Sequence, residues 1–210
     1  MSTKYEMPTF RQECISYIAS CFPSKLCDFY DEISSGIKQL SCFWAVTMAR
    51  ECNIPEIIPC AMYLCTRQSA RDIINGDDNG KNRLSQGDQN LCWEAREQLA
   101  RMAESEVFSF VWSFQPHIAC QTLKQCKNGA RGLIRIFYET DSIHPYGRME
   151  ALKIEDFSKY GKNVCGCCLS AIRTSHEMGR QGVWSALPRL FGLGSWDDIM
   201  PPDPTESPSE

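Results

Sequence analysis

The sequence predicts an all-α protein, an irregular multi-helix bundle whose C-terminal half is a candidate for stapling by zinc on four cysteines. Three observations lead there. Apolar residues recur at steps of three and four along most of the 210 residues, the spacing that builds one buried stripe on a helix. Strict alternation of apolar and polar residues, the mark of a half-buried strand, is missing, and no repeat of fixed period is present. Two cysteine pairs, Cys120 with Cys126 and Cys165 with Cys168, lie in the half that ends in the last helical pattern.

The elements follow in order. Phe10, Cys14, Ile15, Ile18 and Ala19 make a first helical stripe, stopped by Pro23, and Ser24 can cap a short helix through Leu26 and Phe29. Ser34-Ser35-Gly36 breaks the chain. Leu40, Trp44, Met48 and Cys52 form the next core-facing stripe, ended by Asn53. Pro55 then opens a helix that turns Ile57, Ile58, Ala61, Met62 and Cys65 inward, so the two make a tight hairpin. Ser69 to Ile74 adds a turn or two before Gly76 to Asn82, a segment rich in turn residues and expected to be a mobile loop. Ser85 with Asp88 resembles a helix cap ahead of Leu91, Cys92, Ala95, Leu99 and Met102. The pattern weakens at Ala103-Glu104-Ser105 and resumes at Phe108, Val111 and Trp112, which reads as one long helix with a bend or as two in succession.

A further helix is expected between Cys126 and Asp141, facing the core with Leu133, Ile134, Phe137 and Tyr138. A loop around His144-Pro145, a short pattern at Met149, Leu152 and Phe157, and a turn at Lys159 to Lys162 follow. The last helix carries Leu169, Ile172, His176, Val183, Trp184 and Leu187 and is expected to stop at Pro188, which lacks an amide donor. The resulting organisation is an N-terminal helical region over 1–115, a cysteine-pair region over 116–199 and a disordered, acidic, Pro-rich tail over 200–210.

Composition excludes several function classes. Five of the 26 acidic residues lie from Asp197 onward, leaving 21 against 22 basic residues in the body. That near-neutral balance is not the footprint of a nucleic-acid or membrane-surface binder. The first residues lack the apolar run of a secretory signal, and no apolar stretch is long enough to span a bilayer. An intracellular chain, in cytoplasm or nucleus, is therefore expected, with its thirteen cysteines mostly reduced. Cys14, Cys21, Cys27, Cys42, Cys52, Cys60, Cys65, Cys92 and Cys167 are expected to behave as small buried hydrophobes.

The remaining four carry the chemistry. Cys165-x2-Cys168 has the spacing that puts two sulfurs on one tetrahedral zinc ion, at a helix start where free amides favour thiolate. Cys120-x5-Cys126 is a looser half-site. Packed thiols are the alternative for all four. His176 lies two turns beyond the second pair, awkward for a shared ion. His117 and His144 stand beside prolines in loops. No nucleophile elbow, Walker loop or dinucleotide fingerprint is present, so no catalytic or organic-cofactor residue is assigned. Trp184, Leu187, Phe191, Leu193 and Trp196 form a dense apolar end suited to docking on the bundle or to a partner.

These residues carry a family resemblance. Arg50-Glu51-Cys52-Asn53-Ile54-Pro55-Glu56-Ile57-Ile58-Pro59-Cys60-Ala61-Met62-Tyr63 resembles the "ARE-hydrophobic-LPAA-Y" segment of basidiomycete (fungal) BTB/POZ-domain proteins. The paired cysteines resemble that family's two cysteine pairs. Trp184 to Trp196 resembles its terminal "W-x-x-LP-x-x-FGL-x-x-W" signature, and the likeness runs from about Phe10 to Ile199. The resemblance implies the helical region that follows a BTB domain, with the BTB domain itself absent from this chain. Dimerisation through that domain and cullin recruitment are accordingly not expected. A non-catalytic helical interaction or adaptor module, not an enzyme, is the leading expectation, with structural zinc on Cys120, Cys126, Cys165 and Cys168. The alternatives are a zinc-binding regulator that contacts nucleic acid through Lys124, Lys127, Arg131 and Arg135, and a cysteine-dependent hydrolase.

Overall fold

Several helices in this chain begin or end at serine, asparagine, glycine or proline, among them those bounded by Ser41, Asn53, Ser69, Gly76 and Ser195. The computed structural model describes residues 8–29, 40–77, 80–140, 151–152, 154, 156–160 and 162–200, with the side chains of 8, 131, 133–140, 159 and 160 excepted. Helices and turns, and no strand, are found among the described residues, so the all-α class holds. The expected break at 34–36, the loop at 142–147 and the tail beyond 200 lie outside them, as does the apolar face expected at Leu133 to Tyr138. The chain divides into two compact units, Met1–Ala95 with Ser185–Glu210, and Arg96–Trp184.

In the first unit α1 (Pro8–Cys21) precedes a short helical turn at 26–29. The expected α1 stripe is only partly covered: Phe10, 55% exposed, and Cys14 face water, Ile15 and Ala19 are half-buried, and Ile18 is buried, as are Cys21 and Phe22 beyond it. Only the C-terminal end of α1 meets the core, and a small thiol loses little by facing water.

Helix α2 (Cys42–Cys52) is capped by the Ser41 hydroxyl, which accepts from the Trp44 amide. Its buried face is Cys42, Phe43, Ala45, Val46 and Ala49, whereas the expected stripe of Leu40, Trp44, Met48 and Cys52 is half-buried. Periodicity gave the helix but set its face about one residue off. Asn53 ends α2 in the left-handed region at φ 53°, with Ile54 donating back to the Ala49 carbonyl at 2.9 Å. Pro55–Ile57 forms one 3₁₀ turn and leads into α3 (Ile58–Thr66), closely packed on α2 as the expected hairpin. Ile57, Ile58, Ala61, Met62 and Cys65 are all buried there.

Ser69 caps α4 (Ala70–Asn75), accepting from the Asp72 amide at 3.0 Å. Ser85 caps α5 (Gln86–Met102) in the same way, through the Asp88 amide at 3.1 Å. The Asp88 carboxylate accepts from the Ser85 hydroxyl and, through Oδ1, from Arg50 of α2 at 2.7 Å. One residue thus closes a helix end and ties two helices.

The second unit begins within α5, which passes into a π-helical turn, Ala103–Val107, then α6 (Ser109–Trp112). This is where the apolar pattern weakens, and the wide turn is why. A loop over 113–122 joins α6 to α7 (Leu123–Thr140), and a 3₁₀ turn at Phe157–Tyr160 precedes α8 (Gly166–Leu190). A Cβ on Gly179 of α8 would stand 2.7 Å from the backbone of Glu106 and Val107, so only glycine lets α8 press on the π turn.

Helix α8 does not stop at Pro188 but runs to Leu190. Proline so near the end forfeits a single amide bond, and the helix closes one turn later. Gly192 at φ 73° forms that closure: its amide donates to Arg189, and Leu193 donates to Pro188 at 2.9 Å. Ser195 and Asp198 then cap each other at the start of α9 (Trp196–Ile199). These closing residues belong to the first unit, whose divisions from the second fall at 95/96 and 184/185. Both points lie inside continuous helices, where no turn or composition signal exists to mark them.

Candidate metal centre

Three segments of the second unit supply the four thiols. Cys120 follows a turn in the 113–122 loop, where its amide donates to the His117 carbonyl at 2.9 Å. Cys126 occupies the first turn of α7, its amide bonded to the Thr122 carbonyl. Cys165 stands just before α8 and accepts the Leu169 amide on its carbonyl, while Cys168 lies in the first turn. All four Sγ atoms lie within 4.8 Å of one another, and those of Cys120 and Cys165 are 3.7 Å apart. Sulfurs on a tetrahedral zinc stand about 3.8 Å apart for Zn–S bonds near 2.3 Å, so contraction by at most about 1 Å completes the site.

Backbone amides point at the sulfurs, as thiolates require. The Cys165 amide donates to Cys126 Sγ at 3.2 Å, and the His117 amide to Cys168 Sγ at 3.4 Å. The Thr122 hydroxyl lies 3.3 Å from Cys126 Sγ. The Cys168 amide, donating to Cys165, leads in pulling that thiol down to about 6, against partial desolvation. Burial pushes Cys168 up to about 12 and also raises Cys120. Four sulfurs so close could hold one divalent cation, whose charge would favour their thiolate forms.

The site is held by a contact that spacing did not reveal. A Cβ on Gly129 of α7 would fall 1.7 Å from the Asn163 carbonyl oxygen, two residues before Cys165. Glycine inside an amphipathic helix was the available signal. Neither described imidazole, His117 or His176, joins the sulfur cluster. The His117 imidazole accepts from the Ala119 amide through Nδ1 and is exposed. His176 is 2% exposed, packed edge-on against Phe108, Phe110 and Phe157 at centroid distances of 5.3, 6.4 and 5.1 Å. His144 lies outside the described residues.

Of the nine cysteines expected to be packed hydrophobes, Cys21, Cys42, Cys60, Cys65 and Cys92 are buried and Cys52 is half-buried. Cys14, Cys27 and Cys167 are exposed, a correction that follows from their places on outward helix faces. No disulfide is formed among the thirteen. No helix among the described residues is long and apolar enough to cross a membrane.

The fold and the site define a class: an all-helical protein with four cysteines placed to hold a metal ion. No protein family, curated protein or solved structure matches the chain.

Proposed function

We propose that this chain is a non-catalytic helical interaction module of the adaptor type, held in shape by one structural zinc ion on Cys120, Cys126, Cys165 and Cys168. The observation that carries the metal is the convergence of four sulfurs within 4.8 Å, with amides directed at them. Zinc favours such a donor set, and four protein ligands leave no position for a water or substrate, which argues for a structural role over a catalytic one. A reducing compartment, cytoplasm or nucleus, suits a chain whose thirteen cysteines are all free thiols.

Two features support the interaction role. Ile118 is 100% exposed and Leu123 55% exposed, flanking Cys120, so the proposed clamp would hold apolar side chains out toward a protein partner. The resemblance to the helical region of fungal BTB/POZ proteins points the same way, and its terminal signature coincides with residues that close α8 and cap α9.

Elemental analysis of purified protein is expected to find about one zinc per chain. Cys165→Ser should remove most of it and lower the melting temperature by about 10 °C, the consequence of losing about 3 kcal/mol in a chain of this size. Metal-free protein of unchanged stability would reject the zinc.

A further inference from the structure

The four sulfurs are not equivalent. Cys126 and Cys168 are 0% exposed, and each receives a backbone amide, from Cys165 and His117 respectively. Cys120 and Cys165 are half-buried and are the pair at 3.7 Å. Space is open at Gly166, the residue after Cys165: a Cβ there would meet nothing within 4 Å, and a groove lined by His117, Gly166, Cys167 and Ser170 runs past it. A small oxidant therefore reaches one side of the cluster and not the other.

We propose that the clamp is peroxide-sensitive, and that hydrogen peroxide joins Cys120 to Cys165 and so releases the metal. The inference rests on the zinc reading above. In the first step one sulfur of the pair attacks a peroxide oxygen, the O–O bond breaks, hydroxide leaves, and a sulfenic acid forms. In the second the other sulfur attacks that sulfenic sulfur, an S–S bond forms, and a second hydroxide leaves. Two sulfurs lose one electron each, the two peroxide oxygens gain them, and with two protons the products are a disulfide and two waters. Closing 3.7 Å to a bond of about 2.05 Å takes a shift of under 2 Å, which a loop residue and a helix N-cap can supply. Only Cys126 and Cys168 then remain as ligands, and two ligands do not retain a structural zinc.

The test uses the full zinc-loaded chain and Cys167→Ser, which removes the exposed neighbouring thiol without touching the four. Zinc content is measured first, then release to a chromogenic chelator during peroxide titration, then the disulfides by tandem mass spectrometry. The expected result is about one zinc released for two thiols lost, a Cys120–Cys165 crosslink in both proteins, and recovery with dithiothreitol and added zinc. Zinc retained while Cys167 oxidises, or a first crosslink through any other thiol, overturns the proposal and leaves the zinc reading standing. Protein isolated without zinc overturns both.

Discussion

Burial of an imidazole among three phenyl rings gives His176 a measurable signature. Burial first, then the neighbouring Arg180 guanidinium, pulls it down to about 4, against 6.5 for a free imidazole. Its Nε2 has no hydrogen-bond partner among the described residues. Arg180, itself 5% exposed, donates to the Leu152 carbonyl and pairs with Glu177. The sign follows from linkage. Above pH 6.5 the residue is neutral folded or unfolded; below it the unfolded chain takes up a proton that the folded chain refuses until about 4. Stability is therefore complete above pH 6.5 and falls through the window down to 4, by roughly 2 kcal/mol at pH 5 and roughly 3 kcal/mol at pH 4. Urea midpoints at pH 7 and pH 5 check this, with His176→Leu as the comparison: its midpoint should move less between the two by that amount. The helix and its buried side were legible here, since His176 falls at helical spacing between Ile172 and Val183. The ring cage was not, because Phe108 and Phe157 reach it from segments far away in sequence.

At the scale of elements, helix ends were the most legible feature, because capping chemistry is local. Ser69, Ser85 and Asn53 occupy the terminal positions their side chains favour. Faces were harder. For α1 and α2 the spacing revealed a helix, but which residues are covered depends on neighbours that no window of sequence contains. Close approach between elements is likewise invisible until both backbones are placed, and Gly129 is the case that matters for the metal centre. Alanine there gains about 1 kcal/mol of helix propensity, but its methyl group meets a backbone carbonyl at 1.7 Å, which no rotamer change relieves. Gly129→Ala should therefore be destabilising, by about 2 kcal/mol net, and should weaken zinc retention against a competing chelator by shifting Asn163 and with it Cys165. Alanine at Gly166, where a Cβ meets nothing, should leave both quantities unchanged.

For the whole molecule, the all-helical class and the four sulfurs were readable from period and spacing, whereas the division into units was not. Metal removal should respect that division. Backbone hydrogen exchange after chelation is expected to speed up within Arg96–Trp184, most around 113–130 and 163–172, where the three thiol-bearing segments lose their common anchor. Uniform protection before and after would argue against a metal-dependent second unit. The same division has a consequence for synthesis. The first unit is discontinuous, made of Met1–Ala95 and completed by Ser185–Glu210. All four thiols have left the ribosome once Cys168 emerges, before the stretch that finishes the first unit has been made. Capture of the proposed zinc can thus precede completion of the unit that was started first, and a nascent chain stalled between the two events would carry a formed clamp and an unfinished first unit.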